Sequence, residues 1–205
     1  MIVDKKIFKL TKDQRQVIVG TLLGDAHAET RNKALSFRLK FEQSNGHKAY
    51  LFHLYEIFQN CCGSEPYQKT NKNWAFSTLS SVSFTFYGKY FYNTIRTKRI
   101  PRNIGRFLTP ISLAYWFMDD GSLKSKESKG VILNTHAFSL KEIELIIEAL
   151  NRKFSIKATP RKQKEGYQIY ISGESYEVFF SCIKPYLHDS MLYKVPKPRK
   201  IKDMD

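Results

Sequence analysis

Apolar positions along the chain follow two periods. The stretch LAYWFM, Leu113 to Met118, is an unbroken apolar run that leads into the adjacent carboxylates Asp119 and Asp120. Thr109 stands at the N-cap position, Pro110 at the first helical position and Gly121 at the stop, so the run predicts a helix buried on every side with its acids at the C-terminal end. VIVGTLLGDAH, Val17 to His27, is a weaker copy that ends in Asp25, and Thr11 and Gln14 before it have capping-box spacing. Elsewhere the period is two. Leu35, Phe37, Leu39 and Phe41 alternate with Ser36, Arg38, Lys40 and Glu42, which predicts a strand with one buried and one wet face.

These elements recur. Asp25 and Asp120 lie 95 residues apart, while the strand-like segments 33–41 and 129–137, and Lys98 and Lys194 near their prolines, lie 96 apart. Helices are predicted at 47–60 and at 140–153, the second opened by a capping box at Ser139 and Glu142. Aromatic alternation at 82–95 favours a strand, but the matching segment of the second half is helical, and the helix is preferred. Strands follow at 156–162 and 167–172, with Gly166 at their turn. Each half therefore reads helix, strand, helix, strands, helix. The fold class is α+β, with an N-terminal half at 1–105 and a C-terminal half at 106–205 that ends in a basic tail, each half built on an antiparallel sheet.

Composition narrows the partner. The 34 Lys and Arg against 19 Asp and Glu give a net charge of +15 over 205 residues, which attracts a polyanion. No run approaches a membrane span, the N-terminus lacks the apolar centre of a signal peptide, and three cysteines read as reduced core residues. The reading is an intracellular protein, in an organelle matrix if organelle-encoded and cytoplasmic otherwise.

The acids are at the wrong end of their helices. Orphan carbonyls already concentrate negative charge at a helix C-terminus, so a carboxylate there calls for a cation. Two all-round apolar helices are most simply buried against each other, and the Gly20, Gly24 spacing lets their backbones approach; the two acids then meet. Paired carboxylates and free carbonyls form an oxygen-rich cage for a hard divalent ion such as Mg²⁺, which activates water at a phosphodiester. A lysine from each half would stabilise charge there.

At this point VIVGTLLGD and SLAYWFMDDG resemble the two motifs of the monomeric LAGLIDADG homing endonucleases, and the order of the second motif, VILNT, IKPYL and YKVP is similar to members encoded in yeast mitochondrial introns. The resemblance implies two αββαββα halves, their sheets forming a saddle over the DNA major groove. It implies Asp25 and Asp120 as ligands of two or three Mg²⁺ ions, with the carbonyls of Gly24 and Asp119 beside them. Lys98 and Lys194 would stand near the scissile phosphates, and cleavage across the minor groove would leave 3′ overhangs. The second motif has Tyr115 where the first has Gly20, so Tyr115 is expected to pack over the small residue opposite. Two unlike motifs in one chain favour a monomer over a homodimer.

Base recognition would come from the wet strand faces. Parity and the 96-residue offset nominate Ser36, Arg38, Lys40, Asn134, His136, Lys157, Thr159, Arg161, Gln168 and Tyr170. His27, His47, His53 and His188 have no metal-ligand spacing and read as surface or packing residues. Two other functions share the scaffold: an RNA-binding intron maturase, and a DNA-binding regulator, which would have no need of the acids.

Overall fold

The computed structural model describes residues 7–94, 96–125 and 128–195; the basic tail lies outside them. The first half runs α1 (Lys12–Leu23), β1 (His27–Glu29), β2 (Arg38–Gln43), α2 (Lys48–Phe58), β3 (Tyr67–Gln68), β4 (Trp74–Ser77) and α3 (Thr85–Phe91). The second runs α4 (Pro110–Asp120), β5 (Gly121–Leu123), β6 (Val131–Asn134), α5 (Leu140–Phe154), β7 (Ala158–Gln163), β8 (Gly166–Ile171) and α6 (Tyr176–Ile183). Each half contains one four-stranded antiparallel sheet, in the orders β1-β2-β4-β3 and β5-β6-β8-β7.

The predicted caps form. The Thr11 hydroxyl accepts from the Gln14 N–H, Thr109 accepts from the Ser112 N–H, and the Glu142 carboxylate accepts from the Ser139 N–H. Three expectations need correction. The strands β1 and β5, three residues each and beginning at His27 and Gly121, are too short to show a period, so the periodicity lacked a strand in each half that the αββαββα order includes. The third helix of the first half stops at Phe91, because Tyr92 and Lys98 pair as an antiparallel bridge. Leu35 is 62% exposed, since β2 begins only at Arg38 and the alternation before it is not strand.

Helices α1 and α4 cross at the centre and are buried along almost their whole length. Glycine makes this approach possible. A Cβ at Gly20 would stand 2.3 Å from the Ser112 carbonyl oxygen and 2.9 Å from the Tyr115 Cβ, and one at Gly24 would stand 2.5 Å from the Asp119 Cβ. Tyr115 does pack over Gly20, and its hydroxyl reaches the His53 ring at 2.7 Å. The sheets share one core through Leu39, Phe41, Val131, Leu133, Ile169 and Ile171.

Candidate active site

Crossing at glycine brings the C-terminal ends of α1 and α4 together. Neither helix has a basic residue in its last turn, so the charge compensation has to come from elsewhere in the chain. It comes from the two lysines. Lys98 Nζ donates to the Gly24 carbonyl at 2.6 Å, and Lys194 Nζ donates to the Asp119 carbonyl at 3.0 Å and to the Met118 carbonyl. Each ammonium thus caps the helix of its own half. The Gly24 and Asp119 carbonyls, which the resemblance sets beside a metal, accept from these lysines.

The acids divide into different environments. Asp25 Oδ2 accepts from Gln43 Nε2 at 2.8 Å. The Asp119 carboxylate is tucked against Gly24, where it accepts from the Asp25 N–H at 3.1 Å and the Tyr50 hydroxyl at 2.9 Å, bracing one half on the other. Burial, and then the charges of Asp25 and Asp120, hold its proton affinity well above the usual carboxylate range. For Asp120 burial and the Asp25 charge push the pKa up to about 7, against the opposing pull of Lys98 and Lys194. The Trp116 indole N–H, one turn earlier, is buried without completing a hydrogen bond, although its dipole favours the Asp120 anion. Burial lowers the pKa of both Lys98 and Lys194 more than the three aspartates raise it. Burial at the centre therefore works against carboxylate and ammonium charge alike.

The two halves differ here. In the first, Gln43 links Asp25 to His47 Nδ1 at 3.2 Å, and His47 Nε2 meets the Tyr193 hydroxyl at 2.8 Å, directly before Lys194 in sequence. Thr135 takes the corresponding strand position in the second half and donates to the Tyr167 carbonyl instead. Gln43 was missed in the sequence, where it was legible as the one polar residue on the otherwise apolar face of Leu39 and Phe41. Elsewhere His27 meets Tyr92, His53 meets Tyr115, and His188 meets Ser190.

The nominated strand residues fall into three groups. Arg38 and Lys40 project from the wet face of β2, but both are held by Glu29 of β1, at 2.8 and 3.0 Å. On the second sheet Thr159 stands opposite Tyr170, and Arg161 opposite Gln168, on one face. Asn134 shares that face but is engaged internally, donating to the Asp120 carbonyl and accepting from Gln168 Nε2. Ser36 is 9% exposed and bonded to Asn32 and Ser80, so it does not share the open face. Lys157 precedes β7 and pairs loosely with Glu174, and His136 is exposed in the turn after β6. The 96-residue offset is also corrected. His27 and Ser122, each two residues after a motif acid, face Lys40 and Ile132, so the strands match at an offset of 92, and Lys40 corresponds to Ile132. An even shift keeps the faces and changes the partners.

A family model described as the LAGLIDADG DNA endonuclease family matches residues 15–179. The DNA endonuclease I-ChuI of Chlamydomonas applanata is 35% identical, over 93% of this chain and 98% of that protein. The cytochrome b mRNA maturase bI2 of Debaryomyces hansenii is 34% identical, over 91% of this chain and 74% of its own. Among solved structures, the homing endonuclease I-WcaI bound to its DNA recognition sequence superposes with a TM-score of 0.87 at 30% identity, covering 94% of this chain and 90% of that one.

Proposed function

Because this chain belongs to the LAGLIDADG DNA endonuclease family and is a DNA endonuclease, we propose that it makes a Mg²⁺-dependent double-strand break with 3′ overhangs at one long site, acting as a monomer. One observation carries this reading: the crossing of α1 and α4 brings Asp25, Asp120, Lys98 and Lys194 to a single centre. Both halves needed for two cuts are already joined in one polypeptide.

The residues present fit a hard cation. The like charges of Asp25 and Asp120 meet at this centre, and the donors are oxygens. Among the described residues no set of three His, Cys, Asp or Glu side chains closes around an ion, so water and the scissile phosphates would complete the shell. Asp25 and Asp120 would hold Mg²⁺, which supplies water activation and neutralises charge at phosphorus. The remaining steps fall to the protein. Gln43 fixes the Asp25 carboxylate, and Asp119 with Tyr50 fixes the crossing. Lys98, on leaving one carbonyl, and Lys194, on leaving two, would turn to a phosphate oxygen, where an ammonium stabilises the growing charge. Arg38, Lys40, Thr159, Arg161, Gln168 and Tyr170 would read the major groove.

The test is a plasmid carrying the intron-less insertion site of the host gene. Linear product with Mg²⁺, lost in chelator and lost in Asp25→Asn, supports the reading; linear product from Asp25→Asn overturns it. A second reading, an RNA-binding maturase, is favoured by the similarity to the Debaryomyces maturase. An organelle setting follows from the same likeness.

A further inference from the structure

The face of α3 that turns away from the sheets carries a cluster of aromatic rings. One side of α3 packs on the core face of the first sheet, with Gly88 against the Phe37 ring. Its other side therefore points away from Arg38 and Lys40, which lie on the opposite face of that sheet. There Phe86 is 49% exposed and stacks on Tyr90, with ring centroids 5.1 Å apart, while Phe107 closes a trio at 5.6 and 4.9 Å. The Tyr90 hydroxyl is fixed by Asn103 at 2.6 Å.

The chain segment that carries the trio is basic. Between Glu65 and Asp119 the chain contains no acid and eight Lys or Arg. Lys89, Arg102 and Arg106 are exposed around the rings, and none of them forms an ion pair among the described residues. Lys89 also lines, with Lys33, Arg96, Arg99 and the acid Glu29, a cavity of about 850 Å³. The exposed Phe86 ring, stacked on the half-buried Tyr90 with Phe107 at its edge and cations nearby, suits a base that is free to stack and the phosphates that follow it. A duplex keeps its base faces covered and makes no use of such rings.

We infer that this face is a second nucleic-acid surface, which binds an unpaired segment of RNA on Phe86, Tyr90 and Phe107 while the saddle is left free for duplex DNA. The inference rests on the maturase reading and deepens it. An RNA loop of two or three splayed bases matches the extent of the trio, with one cation available for each phosphate.

The probe is a fluorescent 12-nucleotide uridine-rich RNA, measured by anisotropy with and without saturating duplex DNA. Binding is expected to survive the duplex. Phe86→Ser should weaken it about tenfold, from the loss of one stacking platform. The double variant Lys89→Ser with Arg106→Ser, which alters no packed side chain, should lower the slope of log K against log salt by about 0.7 per charge. Duplex affinity should stay within twofold in both variants, and Lys40→Ala should show the reverse pattern. RNA binding that is indifferent to all of these variants, or that duplex DNA displaces one for one, overturns the surface and leaves the maturase reading standing. Absence of RNA binding by the parental protein overturns both.

Discussion

Replacing Asp120 by Asn tests the electrostatics of the centre more directly than any loss of cleavage. In the metal-free protein the Asp120 pKa rises from an ordinary 3.8 to about 7, chiefly through burial and the neighbouring Asp25 charge. A carboxylate whose folded pKa is raised costs nothing below the unfolded value, and it withdraws stability as pH climbs through the folded one. The ceiling is about 3 pH units at 1.36 kcal/mol each, or ~4 kcal/mol at pH 8. At pH 4.5 the same linkage leaves about 1 kcal/mol. Partial solvent access trims both figures, so a gain of about 2–4 kcal/mol is expected for Asp120→Asn at pH 8 in chelator. For a chain of this size that is a rise of roughly 5–10 °C in melting temperature. Thermal melts of the parental protein and variant at both pH values are the assay, with calcium as a third condition to show the parental protein regaining stability. A variant that melts below its parent at pH 8, or gains equally at pH 4.5, would refute the view that Asp120 is held against its electrostatic preference.

Three further expectations follow from the same contacts. Gly20→Ala places a methyl 2.3 Å from the Ser112 carbonyl oxygen and should destabilise the helix crossing by about 1–3 kcal/mol, measured by urea unfolding. Lys98→Met and Lys194→Met should slow single-turnover plasmid cleavage more than they weaken DNA binding, with nicked DNA accumulating because Asp25 is tied to the Gln43, His47, Tyr193 chain and Asp120 is not. Parental rates, or a defect wholly in affinity, would make them ordinary phosphate contacts. Glu29→Gln should release Arg38 and Lys40, tightening binding to non-specific duplex and steepening its salt dependence by up to about 0.9 per freed cation; an unchanged slope would show that DNA already displaces Glu29.

What the sequence determined by itself was whatever repeats at short range. The buried motif helices, their caps at Thr11 and Thr109, the two-fold repetition, the α+β class and the wet parity of Arg38, Lys40, Thr159 and Arg161 all follow from patterns a few residues long. Two acids at the wrong end of apolar helices also announced that positive charge was missing. Tertiary structure alone decided where it came from, because Lys98 and Lys194 reach the Gly24 and Asp119 carbonyls across 74 and 75 residues of chain. The same holds for the Asp119 brace to Tyr50, the Glu29 clamp on Arg38 and Lys40, and the 92-residue strand match. A period of two survives any even shift, so alternation specifies which face a residue takes and carries no information about the strand partner it meets there. That partner is set by backbone hydrogen bonding between distant segments, and the lysines are set by how closely two glycines let their helices cross.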